Sequence, residues 1–341
     1  MAPTIKDVAE KCNVSTATVS RALRGLPNVT PSTRDLVIRT AEEMGYSIDS
    51  IASRLRSGRT MNIGIVMPLA DTWFYSKLAT AAETLLNDSD YYAVRYSMNS
   101  LGGQTEFFKW LSSTKRVDGL ILATMTLSKE DIDILQKLNI PIVTVETKTD
   151  VFPSVTTDNV SAAKMATQYL LNLGHKNIGV ITGLQDDPMQ FSVPRDRLLG
   201  YQAALEQYDI EIRPEMQVAG NFSFEGGAEV TVDLMSVQSP PTAIFTFSDE
   251  MAIGAMKTIR EMNLRIPEDI SIIGFDDQEV AEYVGLTTIR QPVAKYGEQA
   301  ATLLLNLINE NQKETISHIN LDTKIIVRST TGPAFQPQKE K

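Results

Sequence analysis

At 341 residues the chain is too long for one hydrophobic core, and its 43% hydrophobic and 22% charged content suits two or three globular domains. One cysteine, Cys12, excludes a disulfide framework; no stretch nears the ~18 apolar residues of a membrane span, and Lys6 to Arg24 keeps polar residues that a signal peptide lacks, so a cytoplasmic protein is expected. The net charge of −10 is uneven: residues 1–60 hold nine Lys/Arg and six Asp/Glu, a net of +3, and the remainder 23 and 36, a net of −13. Phosphates repel such a body but not such a head.

Thr4 with Asp7 reads as a capping box, and Ile5, Val8, Ala9 and Cys12 then form one apolar helical face. Asn13-Val14 makes a turn, and Ser15 caps a second helix in which Val19, Ala22 and Leu23 face inward. Thr16, Ala17 and Arg21 are left on the outer face, as in a recognition helix that enters the major groove. Arg21 suits guanine O6 and N7, Ala17 a thymine methyl, and the Thr18 and Ser20 hydroxyls suit phosphate oxygens. Thr30-Pro31 starts a third helix, packed by Leu36, Val37, Ala41 and Met44 and ended by Gly45. The capping residues Thr4, Ser15 and Thr30 join the expected DNA contacts. From Ile48 to Thr60 a short stretch puts Ile51, Ala52 and Leu55 on one face, with Arg54, Arg56 and Arg59 supplying charge. By itself it reads first as a basic linker, and second as a helix that forms only when two copies pair on DNA.

These residues resemble the LacI/GalR family of transcriptional regulators: Thr-Ile-Lys-Asp-Val-Ala (4–9), Val-Ser-Thr-Ala-Thr-Val-Ser-Arg (14–21), Thr-Arg (33–34), Gly-Tyr (45–46) and Ala52 to Leu55, with the likeness continuing to about residue 330. The resemblance implies that Thr16, Ala17 and Arg21 read bases and that Leu55, beside Ala52 and Arg54, wedges into a minor-groove step. Two departures stand in the hinge: Ile48-Asp49 where the family usually has Pro-Asn, and Ser53-Arg54 where the basic residue often comes one position earlier.

Beyond Asn62, apolar runs alternate with amphipathic stretches, which predicts an α/β body of parallel sheets with helices on both faces. Candidate strands are 63–66, 92–96, 119–122, 142–145, 178–181, 243–246 and 271–274; helices include 76–86, 161–173 and 197–208, the last starting at Arg197. The fold expected is an all-α helix-turn-helix head before a periplasmic-binding-protein-like body of two doubly wound parallel-sheet subdomains, as the resemblance implies. Its divisions are a head over 1–47, a hinge over 48–60, an N-subdomain of 61–160 with 290–320, a C-subdomain of 161–289 with 321–331, and a flexible tail over 332–341. Three crossovers fall near 158–161, 288–292 and 320–323.

Ligands bind beyond the carboxyl ends of parallel strands. Just past the apolar runs stand Trp73-Phe74, Asp158, Ser248-Asp249 and Asp276, to which Arg197 adds a fork of donors. Such groups suit a small polyhydroxylated effector, carboxylates accepting from vicinal hydroxyls and aromatics stacking on an apolar face. The resemblance makes Arg197, Asp276, Phe222, Trp73 and Phe74 effector contacts, with Ser248 and Gln291 added. Ser248 stands where many relatives have Asn, and Trp73 where many have Pro. On the residues alone, Trp73 and Phe74 read as well as core or dimer-face aromatics, Asp158 as structural at a crossover, and Asp249 as a helix N-cap. His175 comes after a helix end and His318 lies in a polar strand region; no metal spacing, phosphate loop or nucleophile elbow appears. The expectation is a non-enzyme without cofactor or metal: a homodimeric repressor of a palindromic duplex-DNA operator, controlled by a small effector, a sugar. A nucleoside or purine, or a protein corepressor on the N-subdomain, is the alternative control, and a solute-binding protein the rival from another class.

Overall fold

The computed structural model describes residues 3–23, 27–46, 59–68, 72–98, 101–183, 191–310 and 316–334. The chain forms two compact units, Met1–Thr60 and Met61–Lys341.

The first unit holds α1 (Ile5–Lys11), α2 (Thr16–Leu23) and α3 (Pro31–Met44). The Thr4 N–H and hydroxyl donate to the Asp7 carboxylate at 2.7 and 2.8 Å, which holds that carboxyl below its ordinary range. Asn13 turns the chain with a left-handed φ of 52°. Ser15 caps α2 by accepting the Thr18 N–H at 3.0 Å. Thr30 caps α3, Pro31 sits in its first turn, and Gly45 closes it at φ 64°. Val8, Ala9, Cys12, Val19, Ala22, Val37 and Ala41 form the core. Leu36 does not belong to it: at 43% exposure it lies off the stripe 37, 40, 41, 44, and Thr40 takes the buried place instead.

In the second unit, strands β1 (Asn62–Met67), β2 (Tyr92–Ser97), β3 (Gly119–Ala123), β4 (Ile142–Val145), β5 (Ser154–Thr156) and β11 (His318–Asn320) form a parallel sheet in the order β11-β5-β4-β3-β1-β2. Strands β6 (Ile178–Thr182), β7 (Gln217–Ala219), β8 (Ala243–Thr246), β9 (Ser271–Asp276), β10 (Thr287–Arg290) and β12 (Lys324–Ile326) form a second sheet in the order β12-β10-β9-β8-β6-β7; only β12 runs antiparallel. Alternation along β1 sends Ile63, Ile65 and Met67 into one core and Val66 into another across the sheet. The first of these cores lies under α4 (Trp73–Asn87) and α12 (Val293–Glu310), the second under α5 (Leu101–Thr114) and α6 (Lys129–Lys137). Around the second sheet, α7 (Asn159–Asn172) pairs with α8 (Ser192–Gln207), and α9 (Phe224–Met235) with α10 (Asp249–Glu261). All three pairs approach closely at glycine, α9 and α10 at Gly254, where a Cβ would lie 2.0 Å from the Phe224 carbonyl. A Cβ on Gly297 would lie 2.1 Å from the Leu78 carbonyl, and one on Gly200 2.2 Å from that of Val160.

The chain passes between sheets three times: from β5 to α7, from β10 to α12, and from β11 to β12. Five strands were not among the sequence candidates. β5, β7, β11 and β12 are three residues each, too short for a period to show, and β10 is interrupted by threonines. Arg197 does not start its helix; α8 begins at Ser192, and Arg197 lies in its second turn, buried. Among the described residues no helix is long and apolar enough to cross a membrane.

Candidate DNA-reading face and effector cleft

On the head, Thr16, Ala17 and Arg21 are exposed on α2, while Thr18 and Ser20 are half-buried. The first turn of α2 has no acid, and Arg21 pairs with no carboxylate among the described residues. The Thr18 hydroxyl is engaged by Ser15 at 2.9 Å, that of Thr4 by Asp7, and that of Thr30 by Thr33 at 2.8 Å. These capping hydroxyls therefore hold the helices, and the side chains left open are those of Thr16, Ala17 and Arg21. Ala52, Arg54 and Leu55 lie outside the described residues.

The body encloses a cleft of about 740 Å³, part of it open to solvent, beyond the carboxyl ends of both sheets. Strand ends deliver its polar groups through left-handed residues: Thr124 (φ 51°) after β3, Glu146 (φ 56°) after β4, and Asp276 (φ 119°) ending β9. Positive φ at an Asp or Glu is strained, and strain collects where side-chain direction matters. Phe74, Arg197, Phe222, Ser248, Asp276 and Gln291, six of the sequence candidates, all line this cleft.

Arg197 is 4% exposed. Its Nε donates to Asn159 Oδ1 at 2.9 Å and its Nη1 to the Phe247 carbonyl, and the guanidinium lies 3.5 Å over the Phe275 ring. Desolvation lowers its pKa, opposed by Asp276 and Glu146. Burial pushes Asp276 up to about 7, against the pull of Arg197 and the Gln291 amide that donates to it. The single Tyr296 O–H proton is shared: Thr157 Oγ1 is its close acceptor, and Gln291 Oε1 stands at 3.4 Å as the weaker one. The Thr157 N–H donates to Glu146 at 2.8 Å, Asn159 Nδ2 donates to Glu146 at 2.6 Å, and Asn159 closes the circuit on Arg197. Burial likewise raises Glu146 above its ordinary range. The network threads the β5–α7 and β10–α12 crossovers, two of the three segments that connect the sheets.

Two candidates lie elsewhere. Asp158 is exposed and caps α7, accepting the Ser161 N–H at 2.9 Å and its hydroxyl at 2.7 Å; helix capping consumes the carboxylate. Trp73 points away from the cleft to a wider groove at its rim, where Nε1 donates to Glu279 at 2.7 Å and Lys77 pairs with the same carboxylate. Glu279 starts α11 (Glu279–Tyr283) on the other lobe, so this contact clasps the lobes together. Lys77 above all holds the Glu279 carboxyl at a pKa of about 2. Asp249 is not the N-cap of α10. Ser248 is, accepting the Met251 N–H at 3.3 Å, while buried Asp249 accepts from the Gln278 N–H at 2.7 Å and from Thr288.

Sequence reasoning missed Glu146, Thr124, Tyr75, Phe191, Glu250 and Gln278, which also line the cleft. Glu146 and Thr124 were within reach, since each lies just beyond a strand that the apolar runs identified. Phe191 and Tyr75 carry no signal of their own. Neither histidine faces the cleft: buried His175 contacts Thr242, Ser271 and the Gly332 carbonyl, and His318 on β11 contacts Ser154. Among the described residues no group of three His, Cys, Asp or Glu could hold a metal ion.

The family described as bacterial regulatory proteins, lacI family, matches residues 4–49, and a periplasmic binding protein-like domain matches residues 167–331. Catabolite control protein A of Priestia megaterium is 34% identical over 96% of this chain and 99% of its own length. Among solved structures, the lac repressor dimer bound to operator and the anti-inducer ONPF covers 97% of this chain and 100% of its own, with a TM-score of 0.86 and 26% identity. The transcriptional regulator CelR in complex with cellobiose covers 96% and 99%, with a TM-score of 0.71 and 27% identity.

Proposed function

The chain belongs to the lacI family of bacterial regulatory proteins and is a DNA-binding transcriptional regulator; on that premise we propose that it is a cytoplasmic repressor, a homodimer on a near-palindromic operator, released or tightened by a small effector held in the cleft. It performs no catalysis of its own in this reading. Arg21 donates to a guanine edge, Ala17 and Thr16 contact neighbouring bases, and the half-buried Ser20 and Thr18 lie toward the phosphates. The hinge segment with Ala52, Arg54 and Leu55 opens the minor groove between the half-sites.

The observation that carries the regulatory part is the circuit from Asp276 through Gln291, Tyr296, Thr157, Glu146 and Asn159 to Arg197. Asp276 and Arg197 are its two ends, and both face the cleft. A ligand that takes hydrogen bonds from either end redistributes bonds in two crossovers, so its affinity is linked to lobe angle and through it to operator affinity. The cellobiose bound by the related CelR supports a sugar. Phe74 and Phe222 on the cleft wall also favour a nucleoside, whose base would pack between rings. The test is operator binding read by fluorescence anisotropy across a library of sugars, nucleosides and purines. The proposal expects one class to shift operator affinity, and Asp276→Ala to abolish the shift. A shift that survives Asp276→Ala would place the effector elsewhere.

A further inference from the structure

Among the described residues the charged side chains lining the cleft are Glu146, Glu250 and Asp276 against one cation, Arg197. That cation is largely committed, to Asn159, the Phe247 carbonyl and the Phe275 ring. A phosphate group brings nearly two negative charges and needs free N–H donors or cations around it. Three helix N-termini do not supply them, being closed by side-chain caps. The α10 N-terminus is capped by Ser248 and carries Asp249 and Glu250 in its first turn. Asp158 caps α7 and Ser223 caps α9. The α4 and α8 N-termini carry no side-chain cap, but their first turns present the apolar bodies of Phe74, Tyr75, Val193 and Pro194 to the cleft, and Pro194 has no N–H.

The same wall suits hydroxyls. Asp276 and Glu250 accept, Gln278 and Gln291 both accept and donate, and Phe74, Phe191 and Phe222 offer apolar faces to a ring. Glu250 is half-buried and lines both the cleft and the outer groove, so it stands at the mouth through which an exocyclic substituent would project. The groove's own cation, Lys77, is paired with Glu279.

We infer that the effector is an unphosphorylated, ring-bearing polyol, neutral or carrying an amine, and that Glu250 is the residue that turns its phosphorylated counterpart away. This rests on the reading of the cleft as the effector site. Burial already raises both Glu250 and Asp276, so a bound anion adds repulsion to two desolvated carboxyls, whereas a hydroxyl donor relieves them.

The experiment uses the full chain and matched pairs: D-ribose with ribose 5-phosphate, D-glucose with glucose 6-phosphate, D-glucosamine with its 6-phosphate, and adenosine with its 5′-monophosphate. Thermal shift and calorimetry are read for the native chain, Glu250→Gln and Asp276→Asn. The inference expects an unphosphorylated member to bind at least about tenfold tighter than its phosphate, Glu250→Gln to narrow that gap several-fold, and Asp276→Asn to abolish the response. A phosphorylated member that binds as tightly and is lost in Asp276→Asn overturns the inference and leaves the effector cleft standing. Silence from every unphosphorylated member overturns it too. A response indifferent to Asp276→Asn instead sinks the cleft reading on which the inference rests.

Discussion

The head and the cleft solve recognition in opposite ways. On α2 the side chains proposed to read bases, Thr16, Ala17 and Arg21, are exposed and stand apart from the hydrogen bonds that hold the helices, which fall to Thr4, Ser15 and Thr30. In the cleft the groups proposed to recognise the effector are also structural ones. Arg197 and Asp276 are buried, and each is bonded to residues that join the two sheets. A face of the first kind can change its sequence preference one side chain at a time. A site of the second kind cannot lose a group without loosening the body, and that is why occupying it can move the body.

The sharpest way to break this contrast is Arg197→Ala. Removing the guanidinium orphans the buried Asn159 Oδ1 and Phe247 carbonyl and takes the opposing charge from Asp276 and Glu146, and leaving buried polar groups unsatisfied costs about 1–3 kcal/mol each. Urea unfolding read by Trp73 and Trp110, both in the body, should shift by that amount, and effector response should vanish. Base preference on operator DNA should not change. An altered preference would mean that the head's reading face depends on the cleft in more than affinity.

Next in size is a pH effect confined to the body. Burial raises Asp276 to about 7, and it raises Glu146 and Asp249 in the same direction. A carboxyl whose folded pKa exceeds its unfolded value of roughly 4 is protonated more readily in the folded state. The stability this gives is complete below pH ~4 and is lost as pH rises through about 7, of the order of a few kcal/mol for a shift of this size. Tryptophan-detected unfolding should therefore show a body less stable at pH 8 than at pH 5, with a shallower slope in Asp276→Asn. An unchanged slope in that variant would assign the effect to the other buried acids.

Arg21→Ala tests the opposite regime. With no carboxylate partner to orphan among the described residues, it should leave the head's stability within a few tenths of a kcal/mol and cost about 1–3 kcal/mol in operator binding, lost at one half-site position. Quantitative binding to operators varied at single positions reads this directly. Uniform weakening on every sequence would show that Arg21 holds phosphate.

The same contrast explains what the sequence revealed. The head is local: Thr4 with Asp7, Ser15 with Thr18, and the 8-9-12 and 37-40-41 stripes are three or four residues apart, within reach of helical periodicity. Only Leu36 was misplaced, because apolar character outweighed its position on the helix. In the body, the long apolar strands were legible and the three-residue edge strands were not. The cleft is assembled from residues 74, 146, 197, 250, 276 and 291, whose meeting depends on which sheet each strand joins. Looking for polar residues at the carboxyl end of each apolar run found Asp276. The same rule applied to β3 and β4 would have found Thr124 and Glu146. Trp73 and Asp158 satisfied that rule but point elsewhere, since an aromatic one turn out of place reaches the rim and a carboxylate before a helix is drawn to its free N–H groups.

The smallest effect belongs to the clasp at that rim. Glu279 joins Trp73 and Lys77 across the lobes, but the Lys77 and Glu279 side chains are 43% and 61% exposed, so the ion pair is screened and worth no more than about 1 kcal/mol. Even that changes a balanced open–closed equilibrium about fivefold, which a half-buried reporter can register. With Trp110→Phe, Trp73 is the sole tryptophan. Adding Glu279→Ala should then shift its emission to the red and raise its quenching by acrylamide, and 0.5 M salt should move the parent partway in the same direction. Glu279→Gln keeps an acceptor for the Trp73 N–H and loses the charge, so it should fall between the two. If Glu279→Ala leaves the emission unchanged, the lobes are held by the buried circuit alone, and the division between structural cleft and independent surface is sharper than the clasp allows.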